Sequence, residues 1–300
     1  MKRQEIPGLS VAVVTDGKVA WAQGYGVANS ITRRPVASDT PFEAASLGKC
    51  LTTYAALKLV QEGRLDLRKP LDEYLRDAFV SDPLQAHKIT AWQVMTHTSG
   101  LSNNLLEMRH RVSFEPGSRF SYSGVGYMYL QRAIEAITEK PFNDFMTETI
   151  FSELDMNSTS YFRAFGEPRI ARGHGYIFGF ALPMPFAPIR QPNAANLLCS
   201  TSSDLAKFVA ELMNPTIVDN KLVEQMLTPQ VHVSGDLWWG LGIALWKAGE
   251  SQCFWHWGDN LDFETYLLGC PAEKSGVVVM TNSTRGRLIT REVSARALGE

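Results

Sequence analysis

Glu43-Ala44-Ala45-Ser46-Leu47-Gly48-Lys49-Cys50 is the stretch on which the reading of this chain turns. It sets a lysine three residues after a serine, ahead of apolar positions Leu51, Ala55, Leu59 and Val60. That pattern predicts a helix over 50–62 stopped by Gly63, with Ser46 and Lys49 in its first turn. Residues three apart on a helix share a face, so the Lys49 amine can reach the Ser46 hydroxyl. A serine hydroxyl is a weak nucleophile until a nearby base takes its proton, and a lysine held neutral can be that base. The same spacing also arises by chance in a chain of 300 residues of ordinary composition, although Ser46–Lys49 is the single Ser-x-x-Lys pair here.

The residues are 45% apolar and 20% charged, which suits one large globular domain or two interleaved ones. A net charge of −2 supplies no basic field for nucleic acid or an anionic membrane. The longest apolar run, 176–189, is interrupted by Pro183, Pro185 and Pro188 and is too short to span a bilayer. The start carries no apolar signal-peptide core, so the expected location is cytoplasmic, or periplasmic or secreted if a leader has been removed. Cys50, Cys199, Cys253 and Cys270 form no C-x-x-C, and no histidine stands at metal-ligand spacing from them. They read as free thiols, with neither a metal nor a cofactor implied.

Segment 9–15 is β-branched and apolar, followed by Asp16-Gly17 and a second run, 18–27. A D-G pair between such runs predicts a hairpin. Near the other end, 240–246, 253–257, 263–268 and 276–281 read as strands, followed by an amphipathic helix over 288–298 with apolar residues at Ile289, Val293 and Ala297. Between them, helical patterns cover 90–98, 126–139, 142–150 and 203–213. The expected fold class is α+β: an antiparallel sheet built from both chain ends with a flanking helix, plus an inserted, mostly helical lobe. The expected division is 1–45 with 230–300 as the sheet lobe and 46–229 as the helical lobe, joined in one catalytic unit. Clefts between lobes are favoured sites, and Ser46 falls where the chain leaves the first hairpin for the helices.

Two further elements carry candidate chemistry. Phe120-Ser121-Tyr122-Ser123-Gly124 lies between the turn Glu115-Pro116-Gly117-Ser118 and a helix start. From there the Tyr122 phenol can project into the cleft and relay a proton, or simply pack. Trp255-His256-Trp257-Gly258-Asp259 sits on a predicted strand, where a glycine allows close approach of a substrate backbone. His256 can polarise or donate to a substrate, hold the Tyr–Lys pair, or rest among aromatic rings. His97 reads as structural, holding its own turn, and the 176–189 stretch as a surface loop or as an apolar lid over the site.

In order, Ser46-x-x-Lys49, Tyr122-Ser123-Gly124 and His256-Trp257-Gly258 resemble the three motifs of the serine β-lactamase and penicillin-binding-protein superfamily. The nearest branch is the class C β-lactamase-like one, with its family VIII esterases and D-stereospecific peptidases. Ile6-Pro7-Gly8-Leu9-Ser10-Val11-Ala12-Val13-Val14, Met95-Thr96-His97-Thr98-Ser99-Gly100-Leu101, Phe114-Glu115-Pro116-Gly117-Ser118, Leu154-Asp155-Met156 and Met280-Thr281-Asn282-Ser283 match it as well. The resemblance spans nearly the whole chain. It implies a transpeptidase-like fold and an acyl-enzyme mechanism. Ser46 would attack the carbonyl, and Lys49 and Tyr122 would share the proton. The backbone N–H groups of Ser46 and Asp259 would form the oxyanion hole, and His256, Trp257, Gly258 and Gly124 would line the substrate site.

Two positions depart from the pattern. Gly124 stands where an amide-binding Asn is frequent, which favours ester over β-lactam or peptide substrates. Asp259 stands where a small residue is usual, so its carboxylate is expected to point away from the oxyanion hole. The expected activity is a serine hydrolase acting on small esters or amides, with esterase favoured. The alternatives are a D-amino-acid peptidase, a weak β-lactamase, or an idle member kept for binding or assembly. The expected partner is a small-molecule ester or amide.

Overall fold

The computed structural model describes residues 1, 4–104, 110–161, 169–177, 180–185, 191–248 and 251–298. The chain begins with strands β1 (Gly8–Thr15) and β2 (Lys18–Gly26). They are joined at Asp16 and Gly17, both with positive φ, as a tight hairpin turn between twisted strands requires. A short strand β3 (Phe42–Ala45) leads through Ser46-Leu47 into helix α1 (Gly48–Gln61). Then follow the one-turn helix α2 (Pro83–Ala86), α3 (Ala91–Met95), α4 (Gly124–Thr138) and α5 (Phe142–Met146), which continues as a π-helical turn over Thr147–Phe151. Strands β4 (His174–Ile177), β5 (Phe180–Pro183) and β6 (Leu198–Ser200) precede helices α6 (Ser202–Met213) and α7 (Asn220–Met226). The chain closes with β7 (Val231–Ser234), β8 (Leu237–Trp239), β9 (Ala244–Ala248), β10 (Ser251–Asn260), β11 (Phe263–Cys270), β12 (Ser275–Thr281) and α8 (Arg287–Leu298).

One antiparallel sheet of eight strands, in the order β2-β1-β12-β11-β10-β9-β8-β7, joins the two chain ends. β1 is buried on both faces, which is why it reads as an unbroken apolar run rather than an alternating one. Leu9, Val11 and Val13 pack with Val277, Val279 and Ile289 beneath α8. Ala12 and Val14 face the main core with α1 and α6, where Ser10 Oγ lies 2.7 Å from Ser202 Oγ. α1 is buried almost all round and so has no polar face. It runs through the centre of the molecule with Ser46 at its upper end.

The α+β class stands, with some differences in detail. The segment 240–246 is not one strand: Gly240 N–H bonds to Ile243 O at 2.9 Å, Gly242 takes a positive φ, and the strand starts at Ala244. The 90–98 helix is a short one held by a Thr90–Gln93 capping box. Half of the proline-rich stretch pairs as the β4–β5 hairpin, while 178–179 and 186–190 lie outside the described residues. The reading of four free thiols is wrong for two of them. Cys253 and Cys270 form a disulfide, with Cα atoms 4.3 Å apart, while Cys50 and Cys199 are buried thiols outside it. The register Phe254↔Gly269 sets residues 253 and 270 opposite each other on β10 and β11, although 17 positions separate them in sequence.

Candidate active site

The site is assembled where β3 meets α1. β3 ends at Ala45, whose φ of +48° is a conformation that a residue with a Cβ seldom adopts. That reversal stands immediately before Ser46, and α1 starts two residues later with Leu47 as its N-cap, so Ser46 precedes the helix rather than lying in its first turn. The Lys49 Nζ lies 2.9 Å from Ser46 Oγ. A third group, which carries no sequence signature, completes this corner. The Ala195 carbonyl accepts from Lys49 Nζ and stands 3.5 Å from Ser46 Oγ. Its loop is held from α4 by Gln131, which accepts from Ala194 N–H at 2.9 Å and donates to Pro192 O at 3.2 Å.

Lys49 is buried, and removal from water disfavours its charged form, bringing its pKa from 10.5 to about 7. Cys50 beside it is pushed far up by the same burial and stays a thiol. The Lys49 ammonium position lies 5.0 Å from the Tyr122 ring and 5.7 Å from the Tyr127 ring.

Tyr122 occupies the strand-like approach to α4, whose N-cap Ser123 accepts from Gly126 N–H at 3.0 Å. His97 fixes that approach: its Nδ1 accepts from Ser123 N–H at 3.1 Å, its carbonyl accepts from Ser121 N–H at 2.7 Å, and its ring lies 4.2 Å from Tyr122. The residue therefore holds the Tyr122 segment rather than only its own turn. Burial raises the Tyr122 pKa well above the usual phenol range. The Ser46 hydroxyl beside it opposes that rise, but the phenol oxygen has no partner in good hydrogen-bond geometry, so burial prevails.

On the far side, β9 pairs with β10 only as far as Ala244↔Trp255. Beyond that point the rings of Tyr122 and Trp239 lie beside His256 and Trp257, with Trp257 stacked 5.8 Å from Tyr122. His256 is fully buried, with its Nδ1 2.6 Å from Trp257 O and its pKa pushed down to about 3 by burial and by Lys49. The space at Gly258 is taken by the chain itself. A Cβ there would stand 2.3 Å from Ala44 O and 2.4 Å from Thr265 Oγ1, so this glycine lets β10 lie against β3. Asp259 is exposed and directly opposite Glu264, which burial and Asp259 together raise to about 7. The Asp259 carboxylate thus sits with β11, on the face of β10 opposite His256 and Gly258. Gly124, the first residue of α4, is buried and donates its N–H to Asn103 Oδ1 at 2.7 Å. That contact, between loops 21 residues apart, could not be foreseen from spacing.

The remaining histidines have partners away from this site. His174 lies between Asn282 O at 3.1 Å and Ser30 Oγ at 3.0 Å, His110 stacks on Phe79, His87 faces Asp72, and His232 meets Gly235 O. Among the described residues, the one grouping with metal-ligand atoms in mutual reach is Cys253, Cys270 and Glu273, and both sulfurs are tied up in the cystine. No helix of the described residues is long and apolar enough to cross a membrane.

A family model described as Beta-lactamase matches residues 1–298. Protein flp of Staphylococcus aureus (strain NCTC 8325 / PS 47) is 25% identical over 308 residues, an alignment that covers 94% of this chain and 61% of that protein. The chain thus spans about three fifths of the length of that relative. Among solved structures, the octameric penicillin-binding protein homologue from Pyrococcus abyssi superposes with a TM-score of 0.87 at 24% identity, over 100% of this chain and 75% of the other. The D-amino acid amidase from Ochrobactrum anthropi SV3, complexed with L-phenylalanine amide, gives 0.84 at 23% identity, over 99% and 94%. At such identities the structural likeness speaks for the fold.

Proposed function

Because the chain belongs to the β-lactamase family, we propose that it is a serine hydrolase that cleaves small esters or amides through an acyl-Ser46 intermediate, with esters favoured. The observation that carries this reading is the buried Lys49 amine, 2.9 Å from Ser46 Oγ and with a pKa near 7. At neutral pH the free-base form of such an amine is within reach, the condition for taking the Ser46 proton.

In the proposed course, Ser46 Oγ bonds to the substrate carbonyl carbon while its proton passes to Lys49. Tyr122, a protonated phenol at neutral pH, gives its proton to the leaving group as the carbonyl bond to that group breaks, and is reprotonated from Lys49. Water then attacks the acyl-Ser46 ester, losing its proton to the same pair, which returns it to Ser46 Oγ as the bond between the acyl carbon and Oγ breaks and the acid leaves. The Lys–Tyr pair titrates as a unit, so an observed pKa belongs to both. The oxyanion would be held by the N–H groups of Ser46 and Asp259. Thr265 Oγ1 reaches Gly258 O at 3.3 Å from β11, so the strand period of two turns the Asp259 N–H toward the open edge. Each such donor is worth about 3–4 kcal/mol. His256 and Trp257 form the substrate side, with Gly258 and Gly124 packed behind it, and residues 1–45 with 230–300 and 46–229 act as one catalytic unit.

Amide hydrolysis of the D-amino-acid type or weak β-lactamase action is the second reading, favoured by the D-amino acid amidase likeness. An idle member is the third. Short p-nitrophenyl esters, a chromogenic cephalosporin and a D-amino-acid anilide, each assayed with the wild type and Ser46→Ala, separate them. Ester turnover that Ser46→Ala abolishes is the expected result. Turnover confined to the anilide or the cephalosporin shifts the assignment to that class, and failure of a fluorophosphonate probe to label Ser46 would end the enzyme reading.

A further inference from the structure

Three polar atoms around Tyr122 are buried and lack a partner: the Tyr122 hydroxyl, His97 Nε2 and His256 Nε2. The two imidazoles are not equivalent. A backbone N–H only donates, so His97 Nδ1, which accepts from Ser123, carries no hydrogen and the ring proton sits on Nε2. A backbone carbonyl only accepts, so His256 Nδ1, 2.6 Å from Trp257 O, must carry the hydrogen. His256 Nε2 is therefore a bare lone pair, and burial keeps the ring from gaining a second proton near neutral pH. This reverses one expectation from the sequence, in which His256 donates to the substrate.

A buried acceptor without a donor costs about 1–3 kcal/mol, and such an atom in a native site calls for an occupant. The His256 ring centroid lies 6.2 Å from that of Tyr122, whose ring is 5.0 Å from Lys49 Nζ, so the imidazole borders the reacting centre. Among the described residues Lys49 is the basic group at this centre besides the imidazoles, and its amine is already engaged by Ala195 O and Ser46 Oγ. Among the described residues a substrate carboxylate would find no free cation there, and a bare lone pair would face it.

We propose that His256 Nε2 accepts a hydrogen bond from the substrate. The site then selects esters or amides that carry an O–H or N–H donor beside the scissile carbonyl, and discriminates against those carrying a carboxylate at that position. This rests on the acyl-Ser46 reading above. The test uses three p-nitrophenyl esters that differ only at the carbon next to the carbonyl: phenylacetate, mandelate with its hydroxyl, and the phenylmalonate half-ester with its carboxylate. Each kcat/KM is divided by the rate of hydroxide hydrolysis, or, where turnover stalls, the ester concentration that halves fluorophosphonate labelling of Ser46 is read instead. The mandelate ester is expected to lead phenylacetate by about 10- to 100-fold, with the phenylmalonate half-ester slowest. His256→Leu should bring the mandelate-to-phenylacetate ratio toward one. Equal wild-type values, a preference for the carboxylate, or a His256→Leu variant that slows all three esters in the same proportion would overturn the inference; the last outcome would make the lone pair a partner of Tyr122 instead. The wild-type comparison stands even if the variant does not fold. Loss of Ser46 labelling itself would refute the underlying function rather than this proposal.

Discussion

Lys49 carries an amine that water keeps protonated up to about pH 10.5, yet burial beneath Ser46 brings its pKa to about 7. Two outcomes follow at this residue. The kcat/KM of ester hydrolysis should rise with pH along a limb centred near 7, because only the free amine can accept the Ser46 proton; a pH–rate profile on a non-ionising ester measures it. Folding also bears the cost. Between about pH 7 and 10.5 the unfolded chain holds a proton that the folded one has released, so stability rises with pH across that window. At pH 7 the shift corresponds to about 4–5 kcal/mol. Lys49→Met should lower kcat/KM by about a thousandfold and yet raise the melting temperature at pH 7, with the gain shrinking toward pH 10. The net gain is about 1–3 kcal/mol, because the Ala195 carbonyl loses its donor. The Ser46–Lys49 spacing could be read directly, since residues three apart around a helix start can face the same side. The Ala195 carbonyl and the His97 and His256 tautomers could not, because backbone acceptors leave no residue-type signature.

At the scale of the element, β10 matters most. Gly258 lies with Ala44 O and Thr265 Oγ1 where its Cβ would be. Gly258→Ala must push β10 away from β3, and with it the Asp259 N–H from Ser46. Ester kcat should fall at least tenfold and stability by about 2–3 kcal/mol, read by steady-state kinetics and urea unfolding. On the other face Asp259 opposes Glu264, whose pKa is raised to about 7. A raised carboxyl pKa contributes stability that is complete below about pH 4.5 and lost as pH rises through about 7. Glu264→Gln, which stays neutral, should melt at a higher temperature than wild type at pH 8, the difference closing toward pH 5. A lower melting temperature at pH 8 would contradict the raised pKa that burial and Asp259 together impose. The long strands and α1, α4 and α6 were legible because their apolar periods extend over many residues. β3, β6, β7 and β8, of three to four residues each, were not, since so short a segment has no period to detect.

At the scale of the whole molecule, the two chain ends share one sheet, and a cystine ties β10 to β11 within it. Thiol titration in denaturant without reductant should find two reactive cysteines, Cys50 and Cys199, rather than four. Cys253→Ser/Cys270→Ser should lower stability by about 3 kcal/mol, the size expected for a closed loop of this length. Four titratable thiols in the freshly isolated protein would contradict the bridge. The sequence by itself determined the family and the order of the three motifs, because local spacing and hydrophobic period survive in a linear string. It also carried the sheet's origin in both chain ends, through β-rich runs at each. Only the tertiary structure decided that residues 253 and 270 face each other, that Ala195 meets Lys49, and that Gly258 makes room for Ala44. It also turned His256 into an acceptor, since each of these depends on which distant backbone atoms the fold brings within about 3 Å.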